Sequence, residues 1–416
     1  MTFDVARVRA DFPALTGDAA AHFDSPGGTQ TPRPVIDAIA AAMAQPLSNR
    51  GRASVAQRNA DDIVLGARSA MADLLNADSG GIIFGRSATS LTFEMSRTLA
   101  TTHTWGPGDE ILVSRLDHDA NVRPWLLAAE ACGATARFVD FDPVTGELAP
   151  EAVASRLTER TRLVAITAAS NLIGTKPDIA AIAEVVHGAG VLLYVDGVHY
   201  AAHAHVDLVA LGADFFVCSP YKFLGPHLGV LAAAPALLES LSPAKLLPSS
   251  NTVPERFELG TLPYEFLAGT TAAVDYLAAV AGTDGPRRDR LARSHAAVSE
   301  HESSLLRRLE AGLVDLGGVT RYSNARSRTS TLLFALEGLG SAEVADHLAH
   351  RGVNAPAGNF YAIETSKHLG LGSGGAVRAG LALYNTSDDV DRLLTGLAEL
   401  TDARVGAEVA HGRSSQ

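Results

Sequence analysis

The sequence has few cysteines and no long apolar run, and each absence excludes a class of protein. Only 2 of its 416 residues are cysteines, Cys132 and Cys218, and both lie in apolar or helical surroundings rather than in a spaced framework. This usage argues against a disulfide scaffold and indicates free thiols in a reducing compartment. We find no uninterrupted apolar span of about 18 residues and no apolar signal-peptide core near the N-terminus. The sequence therefore predicts a cytoplasmic protein without a membrane partner.

Positive charge is also scarce. The chain has 34 Lys and Arg residues against 46 Asp and Glu residues, a formal net charge of −12, and no basic run stands out. Nucleic acid and anionic membranes are therefore poor candidate partners, and an anionic cofactor would need a local binding site. Apolar residues, in contrast, make up 47% of the chain, which together with its length predicts a sizeable core and two domains.

Strand-like and helix-like runs alternate from about residue 80 to residue 233. This alternation predicts a mostly parallel sheet covered by helices, within a large α/β domain over residues 31–284. The residues before it, 1–30, form an N-terminal segment that we expect to pack near the functional site. After about residue 285, a long helix rich in Arg and Glu and a few strands indicate a smaller α+β domain over residues 285–416, with a polar tail.

Two helices are predicted ahead of the first strand of this sheet. Pro32 suits the start of a helix that we expect to end near Gln45. Ser54 is a suitable N-cap for a second helix that ends near Asn76.

A lysine and a carboxylate follow two consecutive apolar runs. Lys222 comes shortly after the run that ends at Cys218, and Asp196, which lies 26 residues before Lys222, ends another. A lone lysine in a loop is more often a surface residue, but here two strands would deliver an amine and an acid to the same sheet edge, where open α/β sheets bind ligands. Burial there would lower the pKa of the amine and make it a nucleophile toward an aldehyde. Pyridoxal phosphate chemistry requires this pair, since the lysine attaches to the cofactor and the acid keeps its ring nitrogen protonated.

A family resemblance extends over nearly the whole chain. From Phe23–Gln30, with the sequence FDSPGGTQ, to Tyr384–Leu393, with the sequence YNTSDDVDRL, the chain resembles the class V aminotransferases. Within them it is most similar to the cysteine desulfurase-like group. The resemblance implies the type I fold of pyridoxal-phosphate-dependent transferases, pyridoxal 5'-phosphate as cofactor, an amino acid as substrate and a homodimer with shared active sites.

The resemblance also assigns the residues around the cofactor ring. Lys222 becomes the lysine that attaches to the cofactor, Asp196 the partner of its pyridine nitrogen, and His118 the histidine that stacks on its ring. His199 stands where desulfurases usually have Gln and is placed to contact the phenolic oxygen. Asn171, after another strand, is expected on the cofactor or substrate side.

The phosphate group is expected where the segment Phe84–Thr89 turns from strand into helix, because a helix N-terminus offers free amides and a favourable dipole to a dianion. Thr89 and the amide of Ala88 are the candidate ligands. Ser219 resembles the hydroxyl ligand of the family. Tyr221 takes the place of the histidine found there in desulfurases, and its phenol can still donate a hydrogen bond.

On the substrate side, Arg378 matches the arginine that clamps the carboxylate of the amino acid, a role that suits the fork of a guanidinium. The amides of Gly27 and Gly28 are the second choice for that carboxylate. The segment 256–264 resembles the one that dimers of the family extend into the partner's site. Tyr264 aligns with the usual phosphate-binding threonine, and either Thr261 or Tyr264 could reach across.

Two further motifs carry no predicted function. The glycines of Gly370–Gly375 have the spacing of a dinucleotide-binding loop, but they follow a polar helical run and open no helix, so we predict a loop. His199, His203 and His205 lack a carboxylate or cysteine at a suitable ligand spacing, and we predict no metal site.

The resemblance breaks at the nucleophile of the desulfurases. Tyr361 stands where the cysteine that accepts sulfur would fall, and a phenol cannot accept sulfane sulfur. The leading hypothesis is therefore α,β-elimination from cysteine or a cysteine conjugate, a C–S lyase reaction that releases a thiol with pyruvate and ammonia. Amino transfer to a keto acid is the main alternative, and epimerisation and decarboxylating deamination are others. A non-catalytic, cofactor-binding scaffold is disfavoured by the intact Lys222, Asp196, His118 and Arg378.

Overall fold

The computed structural model describes residues 3–17 and 20–414. Its helices are α1 (Val5–Ala10), α2 (Arg33–Ala44), α3 (Val55–Leu75), α4 (Ala88–Thr102), α5 (Arg123–Cys132), α6 (Pro150–Ala154), α7 (Ile179–Gly188), α8 (Tyr200–His203), α9 (Leu208–Leu211), α10 (Pro235–Glu239), α11 (Tyr264–Ala279), α12 (Arg287–Leu316), α13 (Ser341–His350), α14 (Ile363–His368) and α15 (Ser387–Ser414). Its strands are β1 (Ala21–His22), β2 (Ile82–Gly85), β3 (Glu110–Ser114), β4 (Thr135–Val139), β5 (Thr161–Thr167), β6 (Leu192–Asp196), β7 (Phe215–Cys218), β8 (Gly229–Ala233), β9 (Val319–Arg321), β10 (Thr331–Leu336), β11 (Val353–Asn354), β12 (Ala357–Gly358) and β13 (Ala376–Gly380).

A seven-stranded sheet forms the centre of the molecule, with the order β2-β8-β7-β6-β5-β3-β4. The pairs from β7 to β4 are parallel, and β8 runs antiparallel to both of its neighbours. Strand β7 is buried along its whole length and β6 along nearly all of it, which explains why the two are continuous apolar runs in the sequence. The predicted α/β fold with a mostly parallel sheet is confirmed.

The register of the parallel strands brings three strand ends together. Thr167 at the end of β5 pairs with Asp196 at the end of β6, and Asp196 pairs with Val217 near the end of β7. The loops that follow these strands carry Asn171 and Lys222. In open parallel sheets the crevice at this edge is where ligands bind.

Local capping signals position the helices beside this edge. Helix α4 begins directly after β2, and a reciprocal capping box between Ser87 and Ser90 fixes its first turn. Gly229, on β8, packs against this turn, and a Cβ atom there would lie 2.2 Å from the carbonyl carbon of Ser87. A glycine is therefore required for the strand to approach the helix N-terminus this closely. Helix α3 has the predicted N-cap at Ser54 and ends at Asn76 in the left-handed conformation.

A second sheet of four strands, β12-β13-β10-β9, is antiparallel and lies in the C-terminal part of the chain, where helices α12, α13 and α15 pack around it. The N-terminal strand β1 joins this part, since Ala21 pairs with Val353 of β11. Asp24 then forms an isolated β-bridge with Gly380, and the chain returns from there toward the edge of the large sheet. The N-terminal segment therefore connects the second sheet to the ligand-binding edge.

Within residues 3–17 and 20–414, no helix is both long and apolar enough to cross a bilayer.

Candidate active site

A cavity of about 610 Å³ opens at the shared edge of β5, β6 and β7. Its volume lies within the range of roughly 300–1,000 Å³ that is usual for small-molecule sites. The predicted site residues that line it are Gly27, Ala88, Thr89, His118, Asn171, Asp196, His199, Ser219, Tyr221, Lys222 and Arg378.

Lys222 lies in the turn after β7 and is buried. Its Nζ donates hydrogen bonds to the carbonyl oxygens of Pro26 and Gly27, the latter over 3.0 Å. Burial, helped by the positive charge of Arg378, lowers the pKa of this amine to about 7, while Asp196 opposes the shift. The neutral, nucleophilic amine is therefore well populated near neutral pH.

Asp196 ends β6 and is buried. The amide of Val198 donates to its Oδ1 over 2.9 Å, and among the described residues no donor contacts Oδ2. Burial raises the pKa of the carboxyl group to about 6, and the Val198 hydrogen bond and Lys222 counter the effect. Above that pH the group is ionised and can hold a proton on a pyridine nitrogen.

His118 follows β3 and covers one side of the cavity. Its Nδ1 accepts a hydrogen bond from the amide of Ala120 over 3.0 Å, which leaves the proton on Nε2. Burial and the charges of Lys222 and Arg378 lower the pKa of this imidazole to about 4. It is therefore neutral at physiological pH, which suits stacking on the ring of the cofactor.

His199 presents an unpartnered nitrogen. Its Nε2 lies 2.9 Å from the hydroxyl of Thr329 and 3.0 Å from that of Thr331, whereas its Nδ1 is buried without a hydrogen-bond partner. Burial, with smaller contributions from neighbouring charges, lowers the pKa of this imidazole well below its usual value. A buried polar atom without a partner needs an explanation, and a phenolic oxygen of the cofactor supplies one.

The candidate phosphate site lies at the start of α4. Ala88 and Thr89 occupy its first turn, where backbone amides have no partner within the helix, and Ser219 lines the cavity as well. Tyr221 is held in place by its ring, which stacks on His227 with centroids 4.7 Å apart. These residues fit a phosphate dianion.

Arg378 lies on β13 and is only 2% exposed. Its Nη1 donates to the carbonyl of Asn171 over 3.0 Å, its Nε has no partner, and its guanidinium carbon lies 3.6 Å from the ring centre of Phe360. Burial lowers the pKa to about 9, although Asp24 acts in the opposite direction. A buried guanidinium without an acidic partner is costly, so the site fits the carboxylate of an amino acid.

The amides of Gly27 and Gly28 and the side chain of Tyr264 do not take the expected positions. The amides of Gly27 and Gly28 donate to backbone carbonyls of the preceding turn, so they are not available to a carboxylate, and Gly27 contributes its carbonyl to Lys222 instead. Tyr264 packs into the core of its own chain, because it begins α11 against apolar neighbours. Thr261 lies in an exposed turn away from this cavity.

Sequence reasoning missed three contributors to the site. Buried Asp117 accepts hydrogen bonds from Ser114 and Asn121 and thereby holds the turn that carries His118. Thr329 and Thr331 orient His199. The only available signal for Asp117 was its position between an apolar run and His118, and the two threonines gave none because they lie about 130 residues from their partner.

The parallel sheet, the lysine and aspartate at adjacent strand ends and the neutral histidine beside them define a pyridoxal-phosphate-dependent enzyme. The chain belongs to the class V aminotransferase family, whose model matches residues 21–393. Class V aminotransferases and cysteine desulfurases use pyridoxal phosphate, so this cofactor is assigned to the cavity.

The chain is similar over nearly its whole length to proteins with different names. The chain is 33% identical to an uncharacterized protein of Mycobacterium tuberculosis, with 96% of this chain and 100% of that protein covered. It is 33% identical to the aminotransferase-like protein FGM3 of Gibberella zeae, covering 95% and 98%, and to a cysteine desulfurase of Salmonella agona, covering 96% and 99%. The crystal structure of the cysteine desulfurase CsdA of Escherichia coli superposes with a TM-score of 0.85 at 28% identity, covering 97% of this chain and 100% of that one.

The lowered pKa of Lys222 predicts how its reactivity depends on pH. Because the neutral amine attacks aldehydes, the rate at which Lys222 is labelled by pyridoxal phosphate and fixed by borohydride should rise with pH to a midpoint near 7 and then level off. Mass spectrometry of digests measures the labelling, with the exposed Lys367 as an internal reference. Labelling of Lys222 that continues to rise through about pH 9, as for an amine in water, would contradict the assignment.

The carboxylate role of Arg378 predicts a selective loss of binding. Arg378→Ala should weaken amino-acid binding by about 2–4 kcal/mol, as expected for truncation of one partner of a buried charge pair, and should leave the binding of an amine without a carboxylate nearly unchanged. Absorbance titration of the enzyme with its cofactor measures both affinities. Arg308→Ala, at a half-exposed arginine paired with Asp391, is the control. Equal losses for the amino acid and the amine would move the carboxylate site elsewhere.

Proposed function

We propose that the protein is a C–S lyase that catalyses α,β-elimination on cysteine or a cysteine conjugate. The C–S bond breaks, water is consumed, and the products are a thiol, pyruvate and ammonia. Amino transfer is the alternative within the same family.

The observation that carries this proposal is the absence of a thiol from the described cavity. The family resemblance aligns Tyr361 with the desulfurase nucleophile. The ring of Tyr361 stacks on His118 with centroids 5.6 Å apart. Cys218 is fully buried in β7, and burial raises the pKa of its thiol. Cys132 ends α5, where its thiol donates to the carbonyls of the preceding turn. Neither cysteine lines the cavity, so a protein-bound persulfide has no acceptor here.

The remaining residues support bond cleavage at the amino acid. The bound cofactor supplies an electron sink for negative charge at Cα. Arg378 holds the carboxylate and thereby orients Cα in the cavity. Lys222, with a pKa of about 7, can accept a proton at Nζ and return it, which suits both removal of the Cα proton and protonation of a leaving thiolate. Asp196 keeps the ring nitrogen protonated, and neutral His118 covers the ring without adding charge.

The charges of the cavity favour elimination over transfer from a dicarboxylic amino acid. A second carboxylate would need a second cation, and among the described lining residues the candidate is Arg123. Its side chain is 46% exposed and pairs with Asp119 over 3.3 Å, so it contributes little to the binding of a second carboxylate. Amino transfer from a glutamate-like donor is the second candidate function, and it would require the donor's second carboxylate to displace Asp119 from Arg123.

The products distinguish these reactions. Incubation with cysteine or an S-substituted cysteine should yield thiol and pyruvate in equal amounts, measured by thiol titration and mass spectrometry, and Lys222→Ala should abolish both. Alanine together with a mass gain of one sulfur on the protein would show desulfuration instead. A keto acid with the carbon skeleton of the substrate, formed only when a second keto acid is present, would show amino transfer.

We infer that two copies of the chain share their sites. The stretch between α10 and α11 exposes Leu246, Leu247 and Leu259, which are 67%, 97% and 56% accessible. Exposed leucines this close in sequence mark a surface that a partner covers. Thr261 lies at the end of this stretch and is free to reach a neighbour, whereas Tyr264 is committed to its own core.

The double substitution Leu246→Glu and Leu247→Glu should shift the protein from dimer to monomer and reduce turnover, because it places two charges in an apolar contact. Sedimentation velocity measures the change. Val209→Glu, at an equally exposed position on α9, is the control and should remain dimeric. Mixing Lys222→Ala with Thr261→Ala subunits should restore part of the turnover if the sites are shared, and an active wild-type monomer would refute this arrangement.

A further inference from the structure

The short turn Asn359–Tyr361 closes one side of the cavity with two aromatic rings. Phe360 and Tyr361 have φ angles of +50° and +61°, a left-handed conformation that residues with a side chain rarely adopt. Two such residues in succession require strong local support. The conformation of this turn is therefore determined by its contacts and not by its own preference.

Those contacts come from the active site itself. The side-chain amide of Asn171 donates to the carbonyl of Phe360 over 3.0 Å, and the amide of Asp119, next to His118, donates to the carbonyl of Tyr361 over 2.8 Å. Within the turn, the amide of Tyr361 donates to the side chain of Asn359 over 3.0 Å. The backbone of the turn is thus fixed relative to the residues assigned to the substrate and the cofactor.

The rings lie beside the residues assigned to the substrate carboxylate and the cofactor ring. Phe360 covers one face of the guanidinium of Arg378, so a carboxylate held there has this ring beside it. Tyr361 covers His118 and is 75% exposed, which places it toward solvent. Phe93 also lines the cavity. Phe360 and Tyr361 therefore line the part of the cavity beside Arg378 and His118.

We propose that Phe360 and Tyr361 form a fixed aromatic wall that selects amino acids with a large apolar side chain, such as S-aryl or S-alkyl cysteines, over free cysteine. The inference rests on the proposed C–S lyase function. An apolar substituent packed against this wall leaves water, whereas the small thiol of cysteine leaves the wall uncovered.

Binding can be measured apart from elimination with amino acids that have no leaving group. In 2-amino-4-phenylbutanoate a methylene replaces the sulfur of S-phenylcysteine, and 2-aminobutanoate has a methyl group in place of the thiol of cysteine. The enzyme with its cofactor should bind the phenyl compound at least about tenfold more tightly, measured by absorbance titration. Phe360→Ala and Tyr361→Ala should each reduce this ratio by at least about threefold.

A matched control keeps the test specific. Phe138→Ala removes a ring that packs on Arg115 outside the cavity, with the guanidinium carbon 4.4 Å from the ring centre, and should leave the ratio unchanged. Tyr361→Phe should also preserve it, because it retains the ring. Equal affinities in the wild type, or a ratio undiminished in both alanine variants, would overturn the proposal, as would a failure to bind either compound. Pyruvate release from S-phenylcysteine tests the C–S lyase function separately. Failure of the binding prediction would therefore not be confused with failure of the proposed function.

Discussion

The site depends on the burial of two basic groups in one cavity without an acid in contact with either. Lys222 donates to two carbonyl oxygens, Arg378 donates to a third, and neither forms an ion pair within the described part of the chain. Burial of unpaired charge is expensive, and the pKa of both groups falls as a result. Ligands with negative charge relieve this cost. The cavity thus attracts a phosphate and a carboxylate in a protein whose overall net charge is −12.

Burial determines the protonation state of the neighbouring imidazoles, and the same two charges reinforce its effect. His118 and His199 are buried near Lys222 and Arg378, and both causes lower the pKa of each ring. Both rings are therefore neutral and act through shape and single hydrogen bonds. Proton transfer falls to Lys222, whose pKa of about 7 is the only one of these close to the working range. Burial and nearby charge thus assign proton transfer to Lys222 and leave the two histidines as neutral hydrogen-bonding and stacking groups.

Much of this arrangement was predictable from the sequence, for identifiable reasons. Ser54 and Asn76 mark their helix by local chemistry, and apolar runs ending in Asp196 or followed by Lys222 identify the strand ends that meet. The contacts that could not be predicted join distant segments: Thr329 with His199, or Phe360 with Arg378. Nor does the sequence reveal that the amides of the Gly27 turn are already bonded, because that depends on the local path of the backbone. The periodicity of apolar residues identifies helices and strands, whereas the partners of each side chain depend on how those helices and strands pack.

The pairing of β1 with β11 has a consequence for the synthesis of the protein. The carbonyls that receive the amine of Lys222 belong to Pro26 and Gly27, 196 and 195 residues earlier in the chain. The segment that carries them is anchored through Ala21 to Val353, which the ribosome makes long after Lys222. A nascent chain therefore contains the reactive lysine well before it can form the cavity around it. The cavity around Lys222 can therefore form only after the chain has been synthesised to Val353, since the segment of Pro26 and Gly27 depends on that pairing.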